Sequence, residues 1–325
     1  MMAGAEGSGS GSGLAPAGRR APRRSVPWPA LALWLCLPFA PTGASEHGIV
    51  VVDDRGRSVE LAEPAQRIVS LAPHLTELLF AVGAADRIVA TVAHADFPAA
   101  AREIPRIGTA TQLDLERLLA ARPDLIIAWD SGSPRAPLER LERLGLTIYY
   151  SEPSDFGGIG KDLRRLGRLT GNDDLAERSA KDFADTIDAL RARYADRPEV
   201  TIFYQVWDQP LMTVNDAHLI GEAIRLCRGH NVFGHMEALV PRPGKETVLA
   251  ADPEAIVSGG PGEDRPDWLE PWEHWTGLTA VRRDNLFFIP PSLMQRHTPR
   301  IAKGTGMLCE ALETARSRRG PDTPL

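Results

Sequence analysis

The sequence predicts an α/β protein of two similar lobes, each built on a parallel-type sheet, joined by one long connecting α-helix. Three observations carry this. Short buried-strand patterns alternate with helical patterns in both halves of the 325-residue chain. A helical stripe at spacings of three and four separates the halves. One motif then recurs: Glu116, a short apolar helix, Pro123 and the strand Leu125–Ile127 in the first half, and Glu246, a short apolar helix, Pro253 and the strand Ala255–Val257 in the second. Strand–helix alternation is the signature of a parallel sheet covered by helices.

In chain order, Ile49–Val52 and Ser58–Leu61 flank the polar turn Asp53–Arg57 and read as a hairpin. Arg67–Leu71 is a buried-strand pattern, and Thr76–Gly83 a helix closed by glycine. Strands follow at Ile88–Val92, Leu125–Trp129 and Leu146–Tyr150, with helices at Leu113–Ala121 and Leu138–Leu144. Leu175, Phe183, Ile187, Leu190 and Tyr194 form the connecting stripe, and Pro198 ends it. The second half expects strands at Val200–Val206, Ala255–Ser258 and Leu286–Ile289, with helices at Ala217–Cys227, Val248–Ala251 and Pro299–Ala315. The boundaries expected are 45–155 for the first lobe, 156–198 for the helical linker and 199–325 for the second lobe.

Residues 1–44 read as an export signal. A Gly/Ser/Ala-rich start is followed by Arg19, Arg20, Arg23 and Arg24, the apolar run Trp28–Ala40, and small residues to Ala44. Basic, apolar, then small is the layout of a secretory signal peptide, and the run is shorter than the roughly 20 residues a membrane span needs. Cleavage is expected after Ala44, leaving an exported chain. Its two cysteines, Cys227 and Cys309, read as a disulfide in an oxidising compartment; two buried free thiols are the alternative, because sequence does not show their distance.

Several functions lack their residues. A net charge of -6 with no basic block gives no reason to expect nucleic acid. There is no phosphate-binding glycine loop, no nucleophile elbow, no HExxH and no paired CxxC. A metal site could be assembled only from distant histidines such as His74, His94 and His218, and no cofactor is expected. Seven of the 20 aromatic residues are tryptophan, four of them between Trp207 and Trp275, which suits a flat apolar ligand in a cleft between lobes.

The strings Arg67–Leu78, Asp96-Phe97-Pro98, Asp114-Leu115-Glu116 and Arg122–Trp129 resemble the periplasmic cobalamin-binding proteins of vitamin importers, over about residues 48 to 315. Haem and siderophore binders share that helical-backbone class. The resemblance implies two Rossmann-like lobes, one rigid connecting helix, and an ABC transporter permease with its ATPase as partners. The expected protein is a periplasmic monomer that captures cobalamin and performs no chemistry. The resemblance places Glu116 and Glu246 at the lobe tips for permease docking, where paired carboxylates would fix register. It places Pro73, His74, His94, Trp129, Trp207 and the segment Ser292, Leu293, Met294, Gln295 and Arg296 at the ligand, with the indoles stacking and Arg296 and His94 donating hydrogen bonds. Cys227 and Cys309 match the family's disulfide. Two family cleft tryptophans are absent, Ala110 and Arg242 standing in their places. Haem or an iron–siderophore is the alternative cargo, and a secreted metal-dependent hydrolase the alternative of another class.

Overall fold

A computed structural model describes residues 48–319. The signal segment 1–44 lies outside the described residues.

The chain opens with the hairpin of β1 (Ile49–Val52) and β2 (Ser58–Leu61). Its turn is organised by Asp53, whose buried carboxylate accepts from the backbone N–H of Arg55 and Arg57, both at 2.9 Å. The first sheet follows: β3 (Ile68–Ser70), β4 (Ile88–Ala90), β5 (Leu125–Trp129) and β6 (Ile148–Ser151), in the order β4-β3-β5-β6 and all parallel. Helices α1 (Pro73–Ala81), α2 (Leu115–Ala120) and α3 (Arg135–Arg143) connect these strands.

Next come α4 (Phe156–Thr170) and α5 (Asp173–Tyr194). The linker expected from the sequence is therefore two helices. The break is Gly171, left-handed at φ 66°, where the Asn172 N–H closes back on the Gly167 carbonyl. α4 packs on α1 and β1 and belongs to the first lobe; α5 alone runs between the sheets. At its start Ser179 donates to the Ala81 carbonyl at 2.7 Å, and farther along it packs on the second lobe's helices. At 1.5 Å per residue its 22 residues span about 33 Å.

The second sheet holds β7 (Val200–Gln205), β8 (Gly229–Asn231), β9 (Ala255–Ser258) and β10 (Leu286–Phe288), in the order β10-β9-β7-β8, again all parallel. Read by position in each lobe, both sheets run second, first, third, fourth. Their helices are α6 (Leu219–Leu226), α7 (Lys245–Ala251), the one-turn α8 (Glu270–Glu273), α9 (Thr279–Arg282) and α10 (Pro291–Met294), and the long α11 (Ile301–Ser317). β8 was not legible in the sequence, because Gly-His-Asn carries no apolar pattern.

The repeat extends to backbone detail. Arg122 (φ 46°) and Asp252 (φ 40°), 130 positions apart, turn the chain out of α2 and α7 before Pro123 and Pro253. The next residue in each case ties this turn to the neighbouring strand: Asp124 accepts from the N–H of Gln66 and Arg67 at 2.7 and 3.0 Å, and Glu254 from that of Thr201 at 3.2 Å. Cys227 and Cys309 are disulfide-bonded, pinning the end of α6 to α11. Among the described residues no helix is long and apolar enough to cross a membrane.

Candidate functional site

In parallel α/β sheets, ligands bind outside the carboxyl ends of the strands, where the strand order reverses. In both lobes that reversal lies between the first and third strands, and residues at the ends of β5 and β7 meet across one cavity of about 300 Å³. The first lobe contributes Trp129 at the end of β5 and the turn Glu152-Pro153-Ser154 after β6. The second contributes Val206 after β7, His218 and Ile220 at the start of α6, and Leu239 and Val240. Gln295 and His297, on the strap between α10 and α11, complete it.

Trp129 is set by its own loop. Its N–H donates to Ser133 Oγ at 3.1 Å and the Ser133 N–H returns to its carbonyl at 2.9 Å. The indole then lies flat on Gly132, where a Cβ would fall 1.9 Å from the ring. His74, the second residue of α1, packs edge-on behind it at 5.2 Å between ring centres. His297 stands 5.9 Å from His74 and 6.0 Å from His218.

These imidazoles are held neutral. Burial, then the neighbouring His297 and Arg296, push His74 well below the usual 6.5. Burial, then His297, lower His218 to about 4. Burial lowers His297 too, against a smaller opposing pull from Glu152 and the Pro153 carbonyl. Among the described residues no group of three or more His, Cys, Asp or Glu is placed to hold a metal ion, so His74, His94 and His218 do not converge on one.

The strap alternates like a strand. Gln295 and His297 face the cavity, while Arg296, Thr298 and Arg300 turn to the first lobe and converge on Glu77 of α1. Arg296 donates to it at 2.6 Å, Thr298 at 3.2 Å and Arg300 at 3.3 Å. Arg296 also pairs with Asp96 at 2.7 Å and reaches the His94 carbonyl at 3.2 Å, and Arg300 covers the Phe97 ring at 3.8 Å. Burial raises the Asp96 carboxyl, but the Arg296 guanidinium outweighs it and holds the group below the usual range. This cluster joins the two lobes beside the cavity.

Of the ten residues expected at the ligand, Trp129 and Gln295 line the cavity. Pro73 and His74 start α1 behind Trp129. Ser292, Leu293 and Met294 are buried in α10. Arg296, expected to offer the ligand a hydrogen bond, bonds Glu77 and Asp96 in this structure and is not on the cavity lining. His94, left-handed at φ 65°, offers Arg296 its carbonyl and is no part of the wall. Trp207 lies outside the wall, half exposed, and packs on Trp268 at 5.3 Å between ring centres. Sequence reasoning did not place His218 or His297 on the cavity wall, and Gln295-Arg296-His297-Thr298, all polar, gives no periodic signal for the second. Glu116 and Glu246 are both exposed, each in the first turn of its helix, α2 and α7.

A sequence profile of the periplasmic binding protein family matches residues 68–293. Proteins named vitamin B12-binding protein are 32% identical to this chain: one of Vibrio cholerae over 256 residues, 78% of this chain and 92% of the relative, and one of Yersinia pestis over 251 residues, 77% and 88%. The crystal structure of the periplasmic vitamin B12-binding protein of Vibrio cholerae superposes with a TM-score of 0.72 at 32% identity, covering 78% of this chain and 98% of that one. The periplasmic haem-binding protein of the same organism shares the fold at 19% identity and a TM-score of 0.66, covering 76% and 98%. The chain belongs to the periplasmic binding protein family.

Proposed function

We propose that this chain captures a corrinoid, cobalamin, between its two lobes in the periplasm and delivers it to the permease of an ABC importer, without catalysing a reaction. The observation that carries this reading is the 32% identity to vitamin B12-binding proteins over nearly their whole length. The cavity agrees in character: an indole from the first lobe, aliphatic side chains from the second, and a few polar groups, Glu152 among them. A corrinoid exceeds 300 Å³, so loading requires the lobes to part, and the contacts to Glu77 are those that must lengthen. Glu116 and Glu246 are the docking residues, since equivalent exposed carboxylates at two lobe tips offer a permease a symmetric pair of charges. Export through a signal peptide ending near Ala44, and action as a monomer, complete the reading.

Haem is the second reading, favoured by the His297 imidazole on the cavity lining, imidazole being an axial ligand of haem iron. Calorimetric titration of the chain from Ser45 with cyanocobalamin, hemin and a ferric hydroxamate separates them. One-to-one cyanocobalamin binding that weakens in Trp129→Ala is the expected result. Hemin binding with a Soret shift, and none of cyanocobalamin, would overturn the cargo in favour of haem.

A further inference from the structure

Among the described residues, every first-lobe contribution to the cavity lining comes from one of two segments: Trp129 and Ser131 at the end of β5, and Glu152, Pro153 and Ser154 after β6. The ladder between these strands stops at Trp129 and Ser151, so the shape of each loop depends on what crosses to it. The Asp130 N–H donates to the Ser151 carbonyl at 3.1 Å, and the Glu152 carboxylate accepts from the Ser131 N–H and hydroxyl at 2.8 and 3.1 Å. These bonds tie the loops to one another. Each loop is also tied to a third element, the turn of the N-terminal hairpin, which belongs to neither four-stranded sheet.

That turn, Asp53-Asp54-Arg55-Gly56-Arg57, folds on itself. The buried Asp53 carboxylate takes the N–H of Arg55 and Arg57, and Gly56, left-handed at φ 76°, donates to the Asp53 carbonyl at 3.0 Å. Asp54 and Arg55 are left to reach the first sheet. Asp54 donates its N–H to the Tyr150 carbonyl at 3.0 Å, and its carboxylate accepts the Glu152 N–H at 2.6 Å and pairs with Arg165 of α4. The Arg55 guanidinium lies over the Tyr150 ring, 3.5 Å from its centre, and pairs with Asp130. One residue therefore grips each loop: Arg55 the loop that follows Trp129, Asp54 the loop that carries Pro153. Their side chains are only 25% and 21% exposed, so these charge pairs are less screened than pairs on an open surface. Neither residue is on the cavity lining.

We propose that Asp54 and Arg55 are positioning residues for cargo capture: the hairpin turn holds the two first-lobe loops of the cavity in place relative to one another and does not itself touch the ligand. This rests on the corrinoid reading for the ligand that reads it out. Loops fixed before a ligand arrives lose less freedom on binding, and a site keeps its geometry only as well as its supporting contacts hold it. Arg57 supplies an internal comparison. It too lies over Tyr150, at 4.6 Å, and it pairs with Glu142 of α3 at 2.8 Å, but none of its bonds reaches either loop.

Cyanocobalamin titration of the chain from Ser45 compares the parent with Arg55→Ala, Asp54→Ala, Asp130→Asn and Arg57→Ala, with Tm measured on each. Arg55→Ala and Asp54→Ala should each bind roughly tenfold more weakly, a fraction of the roughly hundredfold that a misplacement of about 1 Å can cost. Arg57→Ala, which gives up the same kind of hairpin contact, should bind within about twofold of the parent. The losses from Arg55→Ala and Asp130→Asn should not add, because both break one contact. Arg55→Lys, which keeps the charge, should recover part of the affinity. A role in stability alone would lower Tm in both arginine variants and leave the affinity of the folded chain unmoved. If Arg55→Ala fails to fold, Asp130→Asn, which leaves the stack on Tyr150 in place, makes the same comparison with Arg57→Ala. Parent-like affinity in Arg55→Ala and Asp54→Ala, or equal weakening in Arg55→Ala and Arg57→Ala, would overturn the positioning role and leave the corrinoid reading standing. No binding of cyanocobalamin by the parent would overturn both.

Discussion

Glu77→Gln removes the one carboxylate on which the strap between α10 and α11 converges. The side chain is 3% exposed and takes Arg296, Thr298 and Arg300 together, at 2.6, 3.2 and 3.3 Å. Breaking a buried ion pair by neutralising one partner costs about 3–5 kcal/mol when the other charge is stranded. Here the stranding is incomplete. Arg296 keeps Asp96 at 2.7 Å, and Arg300 keeps the Phe97 ring and partial access to water. The glutamine amide oxygen still accepts one bond. The expected loss is therefore about 2–3 kcal/mol, or roughly 4–8 °C in Tm for a chain of this size. Differential scanning calorimetry of Glu77→Gln beside the parent measures it. Glu246→Gln is the control, because Glu246 is exposed on α7 and should leave Tm unmoved. Glu77→Gln melting with the parent would refute the assignment of the strap to the first lobe through this carboxylate.

Three further outcomes follow from the same geometry. Gly132→Ala should displace the Trp129 indole, which a Cβ at 132 would penetrate at 1.9 Å, and should weaken cyanocobalamin binding about tenfold or more although residue 132 is outside the cavity wall; unchanged affinity by calorimetry would contradict it. Reducing Cys227–Cys309, 82 positions apart, should lower stability by about 4 kcal/mol on the chain-entropy account, measured as a shift of the urea midpoint with dithiothreitol. His218 has a folded pKa of about 4 against an ordinary 6.5, so its contribution is complete above about pH 6.5 and is lost as pH falls towards 4, roughly 3 kcal/mol over that window. Asp162, raised to about 6 by burial and then by Asp54, gives the opposite slope, losing stability as pH rises from about 4 through 6. The informative quantity is the difference between the parent and His218→Gln in urea melts from pH 7 to 5; the variant should lose less on acidification, and identical slopes would contradict the burial of that imidazole.

The two-lobed α/β architecture was legible because its cause is local. Strands such as Leu125–Trp129 and Ala255–Ser258 are short apolar runs bounded by proline and turn residues, and the 130-residue offset of Glu116 and Glu246 repeats a whole supersecondary unit. α4 was hidden because it opens on Phe156-Gly157-Gly158, a poor helix signal that the capping carboxylate of Asp155 rescues by accepting from the Gly158 N–H. The site was less legible because its geometry comes from distant pairings. Arg296 looked free for a ligand, and the carboxylate that takes it is 219 positions away on α1. His218, named in the sequence only as one of three distant histidines, caps α6 and lies on the cavity lining. Trp129 was expected at the ligand from the resemblance, and it lines the cavity at the carboxyl end of a parallel strand.

We propose that a corrinoid sits between the lobes, at the carboxyl ends of both sheets. The most direct measurement is a crystal structure of the chain from Ser45 grown with cyanocobalamin. The corrin ring is expected across the cavity between Trp129 and the strap at Gln295 and His297, with the lobes parted at Glu77. A corrinoid bound on the outer surface of either lobe, with Trp129 still closed against His74 and His297, would contradict the account.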